Sequence, residues 1–109
     1  MKIYLACPYT QNPERGFIQA NRKAAELMLE GHIVFSPISH SHHICIQNGL
    51  PEKLDFWLKQ DLPFIDWCDE LHVLMLPGWE DSSGVSREIE YAELTFKPVQ
   101  MSDYGAVGR

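Results

Sequence analysis

The sequence predicts an α/β protein, a three-layer sandwich with a small parallel sheet. Three observations carry this. Segments with helical spacing alternate with short apolar runs along the whole chain. The runs at residues 2–6, 32–35 and 71–76 read as strands, the last as one covered on both faces. The stretch joining the first two is long enough for a helix, which makes the unit a right-handed parallel crossover. No repeat, low-complexity tract or linker interrupts the 109 residues, so they are read as a single domain with one core.

Taken in order, residues 2–6 form a central strand, and Cys7-Pro8-Tyr9-Thr10-Gln11-Asn12 leave its carboxyl end. Asn12 followed by Pro13 is a helix start, a cap before a proline at the first helical position. Phe17, Ala20, Ala24, Leu27 and Met28 continue at helical spacing, and Gly31 supplies a left-handed stop. After the strand at 32–35, residues 36–43 read as a loop and 44–50 as a mobile lid. Pro51 and Glu52 open a helix carrying Leu54, Trp57, Leu58 and Leu62, which Pro63 breaks or kinks. Asp61, just before that break, reads from the pattern as a cap for a turn at 64–67. The strand at 71–76 is followed by a polar loop and a helix with Val85, Ile89, Ala92 and Phe96 on one face. Residues 98–101 suit an edge strand that tolerates an initial proline, and 103–109 read as a frayed tail.

Composition narrows the function. A net charge of −6 argues against a sequence-independent nucleic-acid binder, which needs Lys and Arg to displace counterions. No apolar run is long enough to span a bilayer, and the first residues lack a signal-peptide pattern, so a cytoplasmic protein with a small-molecule ligand is expected. Three cysteines, Cys7, Cys45 and Cys68, without a CxxC pair suggest buried reduced thiols. Cys7 faces the crevice, and as a nucleophile it would need a base beside it.

In an open parallel sheet of flavodoxin-like or Rossmann-like form, ligands bind outside the carboxyl ends of the strands. The loop from Asp81 to Gly84 belongs at that rim, and either Ser82 or Ser83 can cap the helix behind it. The free N–H groups and aligned peptide dipoles there favour an anion such as a phosphate. Glu88 lies one turn in and flanks the apolar stripe, so it should point toward the crevice, whereas Glu90 is nearly opposite and reads as surface. An acid this early in a helix also suits the dipole without any catalytic role. His40, His42 and His43 cluster, but adjacent histidines diverge and no acidic or cysteine ligand is near, so hydrogen bonding to a base or sugar is favoured over a metal site, with a surface turn as the bland alternative.

Ile3-Tyr4-Leu5-Ala6, Gln60-Asp61-Leu62 and Gly84-Val85-Ser86-Arg87-Glu88-Ile89-Glu90-Tyr91-Ala92 together resemble the nucleoside 2-deoxyribosyltransferase superfamily, in order and over nearly the whole chain. Ser36-Pro37-Ile38-Ser39-His40-Ser41-His42 and Gly78-Trp79 resemble a small uncharacterised branch of it. The resemblance implies that Glu88 attacks the anomeric carbon of a nucleoside or nucleotide, and that Asp61 serves the sugar site. Six residues before the nucleophile stands Ser82, as in nucleoside 5′-monophosphate N-glycosidases; the transferase branch tends to have an aspartate there. Ser86 and Glu90 replace glycines usual two residues either side of the nucleophile.

The expected substrate contacts are Tyr9 and Arg15 from the first loop and helix, His40 and His43 from the second, and Asp81, Ser82, Ser83 and Gly84 from the last. The expected partner is a nucleotide or nucleoside, without cofactor, metal, nucleic-acid polymer or membrane. A homodimer is also expected. A chain this small has little mass to wall a crevice, and its aromatics, Tyr9, Trp57, Phe64, Trp67, Trp79 and Tyr91, exceed what one compact core needs. The interface is expected to use the middle helix and the Glu88 helix.

Overall fold

The computed structural model describes residues 1–103. Strands β1 (Lys2–Ala6), β2 (Ile33–Phe35), β3 (Glu70–Leu74) and β4 (Val99–Ser102) form one parallel sheet in the order β2-β1-β3-β4. Helices α1 (Pro13–Leu29), α2 (Pro37–Asn48), α3 (Leu54–Trp67) and α4 (Ser83–Leu94) fill the connections. Alternation along β1 assigns the layers. Ile3 and Leu5 pack with Ala20, Ala24 and Leu27 of α1, while Tyr4 and Ala6 pack with Ile65 of α3 and Val85 and Ala92 of α4. All four of these β1 side chains are fully buried, and a fully buried large apolar side chain contributes roughly 1.5–3 kcal/mol. The strand order reverses between β1 and β3, and the crevice of such a sheet opens at that reversal.

The helix starts follow from local chemistry. The Asn12 side chain accepts from the Arg15 N–H at 3.2 Å, with Pro13 beginning α1, and Gly31 stands at φ 97° just beyond its end. Where a loop and a mobile lid are expected over 36–50, the chain forms α2 instead. Ser36-Pro37 repeats the Asn12-Pro13 signature, with Ser36 Oγ accepting from the Ser39 N–H at 3.4 Å. The helix was hidden because its buried face is built from Pro37 and His42, so the usual aliphatic stripe is missing.

Three further expectations are corrected. First, α3 begins at Leu54, after Lys53, and runs unbroken through Pro63. Leu58 and Ile65 are buried on either side of the proline, while Pro63 and Lys59 are exposed, so the missing hydrogen bond falls on the solvent side. Asp61 is therefore inside a helix and caps nothing.

Second, Phe96 does not extend the apolar face of α4. It lies beyond the helix at φ 60° and is 92% exposed. Its N–H bonds the Glu93 carbonyl and the Lys97 N–H bonds the Ala92 carbonyl, a Schellman stop with phenylalanine in the position glycine normally takes.

Third, β3 ends at Leu74 rather than at residue 76, because Leu76 turns back to bond the Leu74 carbonyl. The expected tail lies outside the described residues from 104 onward. No described helix is long and apolar enough to cross a membrane.

Candidate active site

The polar group deepest in the sheet's α3/α4 face is Tyr4. Its ring is fully buried in β1, and its hydroxyl donates a short hydrogen bond to Glu88 Oε2 of α4. Val85, Glu88 and Ala92 are the buried residues of α4, so Glu88 lies within the apolar stripe itself. Glu90 is exposed. Burial lifts the Glu88 carboxyl to about 8; the Tyr4 hydrogen bond opposes this and the charge of Asp61 adds to it. Asp61, half-buried on α3, is itself pushed up to about 6 by burial. Two carboxyls and a phenol are thus electrostatically linked, and Tyr4, whose hydroxyl is driven well up by the same burial and by Glu88, stays a proton donor.

A tyrosine in an otherwise aliphatic strand signals that its hydroxyl needs a partner, and that signal could have assigned Tyr4 a role from sequence.

The loops at the sheet's carboxyl end interlock. Gly16 lets α1 approach the first loop, since a Cβ there would stand 2.8 Å from the Pro8 carbonyl oxygen. Gly78, at φ 92°, lies under Gln11, whose Oε1 would meet a Cβ at 2.2 Å. A 3-10 turn at Trp79–Asp81 then delivers the chain to α4. Of the two candidate caps, Ser82 takes the part: its Oγ accepts from the Val85 N–H at 3.2 Å. Ser83 and Gly84 occupy the first turn, whose N–H groups have no intrahelical acceptor, and Asp81 is exposed beside them. At Gly84 an added Cβ would make only ordinary contacts, 3.9 Å from Ser82 Oγ and 4.0 Å from Leu54 Cδ1. Packing within the chain therefore does not require glycine there.

Cys7 does not have the environment of a nucleophile. Burial first, and then the charge of Glu88, push its thiol up to about 12, and its Sγ donates to the Pro8 and Gly16 carbonyls. All three cysteines are free. Among the described residues, no group of three His, Cys, Asp or Glu side chains is placed to hold a metal ion.

The histidines separate along α2. His40 and His43 are exposed: His40 Nδ1 is 3.1 Å from Ser41 Oγ and its ring lies beside Phe35, while His43 meets the edge of Phe17. Neither contacts the Tyr4, Glu88 and Asp61 group. His42, expected with its neighbours to hydrogen-bond a base or sugar, is instead 3% exposed and spends its ring nitrogens within the chain. Its Nδ1 lies 2.7 Å from the Tyr9 hydroxyl, its Nε2 3.6 Å from Glu14 Oε2, and its ring stacks on Phe17 at 4.2 Å. Tyr9 is thus held from behind. Arg15 is exposed in the first turn of α1, beside the loop that carries Tyr9.

The profile of a family described as a domain of unknown function, DUF1937, matches residues 1–104. Among solved structures, the chain is similar to a 2-deoxyribosyltransferase from the psychrotolerant bacterium Bacillus psychrosaccharolyticus, with 28% identity and a TM-score of 0.67 over 97% of this chain and 74% of that one. A 2-deoxyribosyltransferase from Leishmania mexicana shares the fold, with 18% identity and a TM-score of 0.65 over 94% of this chain and 63% of that one. No curated protein matches the sequence. With the fold shared over nearly its full length and the family profile covering all but its last residues, the chain belongs to the DUF1937 family, within the nucleoside 2-deoxyribosyltransferase-like superfamily.

Proposed function

We propose that this protein cleaves the base–sugar bond of a nucleoside 5′-monophosphate through a covalent glycosyl–Glu88 intermediate. The observation that carries the reading is a buried glutamate, hydrogen-bonded to Tyr4, on the helix behind the point where the strand order reverses. In the first step a Glu88 carboxylate oxygen bonds to C1′ as the C1′–N bond breaks. The electron pair leaves with the base, which takes up a proton. Tyr4 orients the carboxylate, and Asp61 holds a sugar hydroxyl or the nucleophile itself. In the second step water bonds to C1′, releases Glu88 and completes hydrolysis. The first turn of α4, with the Ser82 and Ser83 hydroxyls and free N–H groups, suits the phosphate.

The reading with a second base in place of water, deoxyribosyl transfer, draws on the 28% identity to the Bacillus enzyme. Incubation with mixed nucleoside monophosphates, then with nucleosides plus a second base, separates the two by chromatography of free bases and new nucleosides. Glu88→Ala should abolish turnover and Glu90→Ala should leave it near wild type. Turnover surviving in Glu88→Ala refutes the mechanism. Tight binding without turnover in the wild type makes the protein a nucleotide-binding module.

A further inference from the structure

We propose that Glu14 and His42 fix the Tyr9 hydroxyl as a hydrogen-bond acceptor toward the substrate, so that the site selects a base bearing an exocyclic amino group, adenine or cytosine, over its oxo counterpart. The proposal rests on the N-glycosidic reading above and concerns which base that site takes.

The geometry is a chain of three groups. Glu14 Oε2 lies 3.6 Å from His42 Nε2, an electrostatic contact longer than a hydrogen bond, and its negative charge favours the tautomer that carries the proton on Nε2. Nδ1 is then an acceptor. In that tautomer the Tyr9 hydroxyl, 2.7 Å away, donates to it. With its only proton committed, the phenol oxygen has just lone pairs to offer a ligand.

Phe17, stacked on the His42 ring, and the 3% exposure of His42 hold this tautomer chain in one geometry. Burial, with Cys45, Glu14 and Glu52 nearby, pushes the Tyr9 hydroxyl up, so the phenol keeps its proton.

Tyr9 is also in the right place to read a ligand. It is half-buried, on the loop that leaves β1 at the point of strand reversal, two residues after Cys7, whose thiol feels the charge of Glu88. Its partners Glu14 and Phe17 lie on α1 and His42 on α2, and α1 covers the face of the sheet opposite to α4. A base leaving C1′ lies between these walls, where an N–H₂ group completes a hydrogen bond with the phenol oxygen and a carbonyl oxygen meets another acceptor. An acceptor that the bound base screens from water discriminates against another acceptor, because both groups then stay unpaired.

Wild type, Tyr9→Phe and Glu14→Gln would be assayed for base release from AMP against IMP and from CMP against UMP, with the deoxy forms in parallel. Each pair exchanges an exocyclic amino for an oxo group, and with it the adjacent ring nitrogen changes from acceptor to N–H donor. The wild type should prefer the amino member by about tenfold or more in kcat/KM. Tyr9→Phe should bring the ratio within about threefold. Glu14→Gln, a change at an exposed carboxylate outside the reacting group, should also weaken it, because the side chain that selects the Nε2–H tautomer is gone. Nitrogen NMR of His42 should show Nε2 protonated and Nδ1 bare in the wild type.

Equal use of amino and oxo substrates by the wild type, a preference that survives Tyr9→Phe, or a proton found on Nδ1 overturns the proposal. If no monophosphate releases base, the monophosphate-hydrolase reading fails and calorimetric titration of AMP against IMP decides. A tenfold AMP preference lost in Tyr9→Phe supports the acceptor role, and equal or absent binding overturns it.

Discussion

Glu88→Gln tests the electrostatics of the site through stability alone, with no assumption about the substrate. In the fold the Glu88 carboxyl titrates at about 8, against 4.5 in its ordinary environment. Between those values the folded chain keeps a proton that the unfolded chain has lost, so wild-type stability falls as pH rises through that window and the loss is complete above pH 8. Integrating the linkage between pH 5 and pH 8.5 gives a loss on the order of 4 kcal/mol, at about 1.36 kcal/mol per pH unit. Glutamine has the same shape, its carbonyl can still accept from Tyr4, and it does not titrate. Asp61 contributes a smaller loss of the same sign at lower pH, from 3.8 to about 6, and it does so in both proteins. Urea unfolding at half-unit pH steps should therefore show the variant gaining on the wild type, by about 4 kcal/mol at pH 8.5 relative to pH 5. Parallel curves across the range would refute the claim that burial sets the ionisation of Glu88. The same ionisation should appear in catalysis, since only the carboxylate attacks: base release by the wild type should climb with pH toward 8.

Other expectations can be checked separately. Ser82→Ala removes the α4 cap and should cost about 1 kcal/mol in urea unfolding, with a weakened preference for monophosphates over nucleosides; an unchanged preference would remove Ser82 from the phosphate site. Phe96→Gly should stabilise by about 1 kcal/mol, because glycine takes the positive-φ stop without a Cβ clash and the ring it replaces is 92% exposed; a loss of stability would assign the ring a role. We expect a homodimer by light scattering at micromolar concentration. A groove of about 350 Å³ lined by Ile33, Val34, Phe35, Pro63, Phe64 and Trp67 leaves apolar surface beside α3, and a fully active monomer would refute a site shared between subunits.

The alternation of apolar runs with helical spacing was enough to predict the α/β class, because strands covered on both faces and amphipathic helices leave different periods in the chain. Asn12-Pro13 marked the start of α1 because a cap and a fixed proline φ act locally. Helical spacing puts Glu88 beside the apolar stripe and Glu90 nearly opposite, because helix geometry alone decides that, whereas the burial of Glu88 within the stripe is set by the fold. What depended on distant partners was not legible. The α2 helix is amphipathic only once Tyr9, Glu14 and Phe17 turn His42 into a buried residue. Pro63 sits inside a continuous helix because the burial of Leu58 and Ile65 on either side holds both halves in place. Only the folded chain could bring Tyr4 to Glu88, 84 residues apart in sequence, since a hydrogen bond between a strand and a helix that far along the chain exists only when the sheet has set their positions.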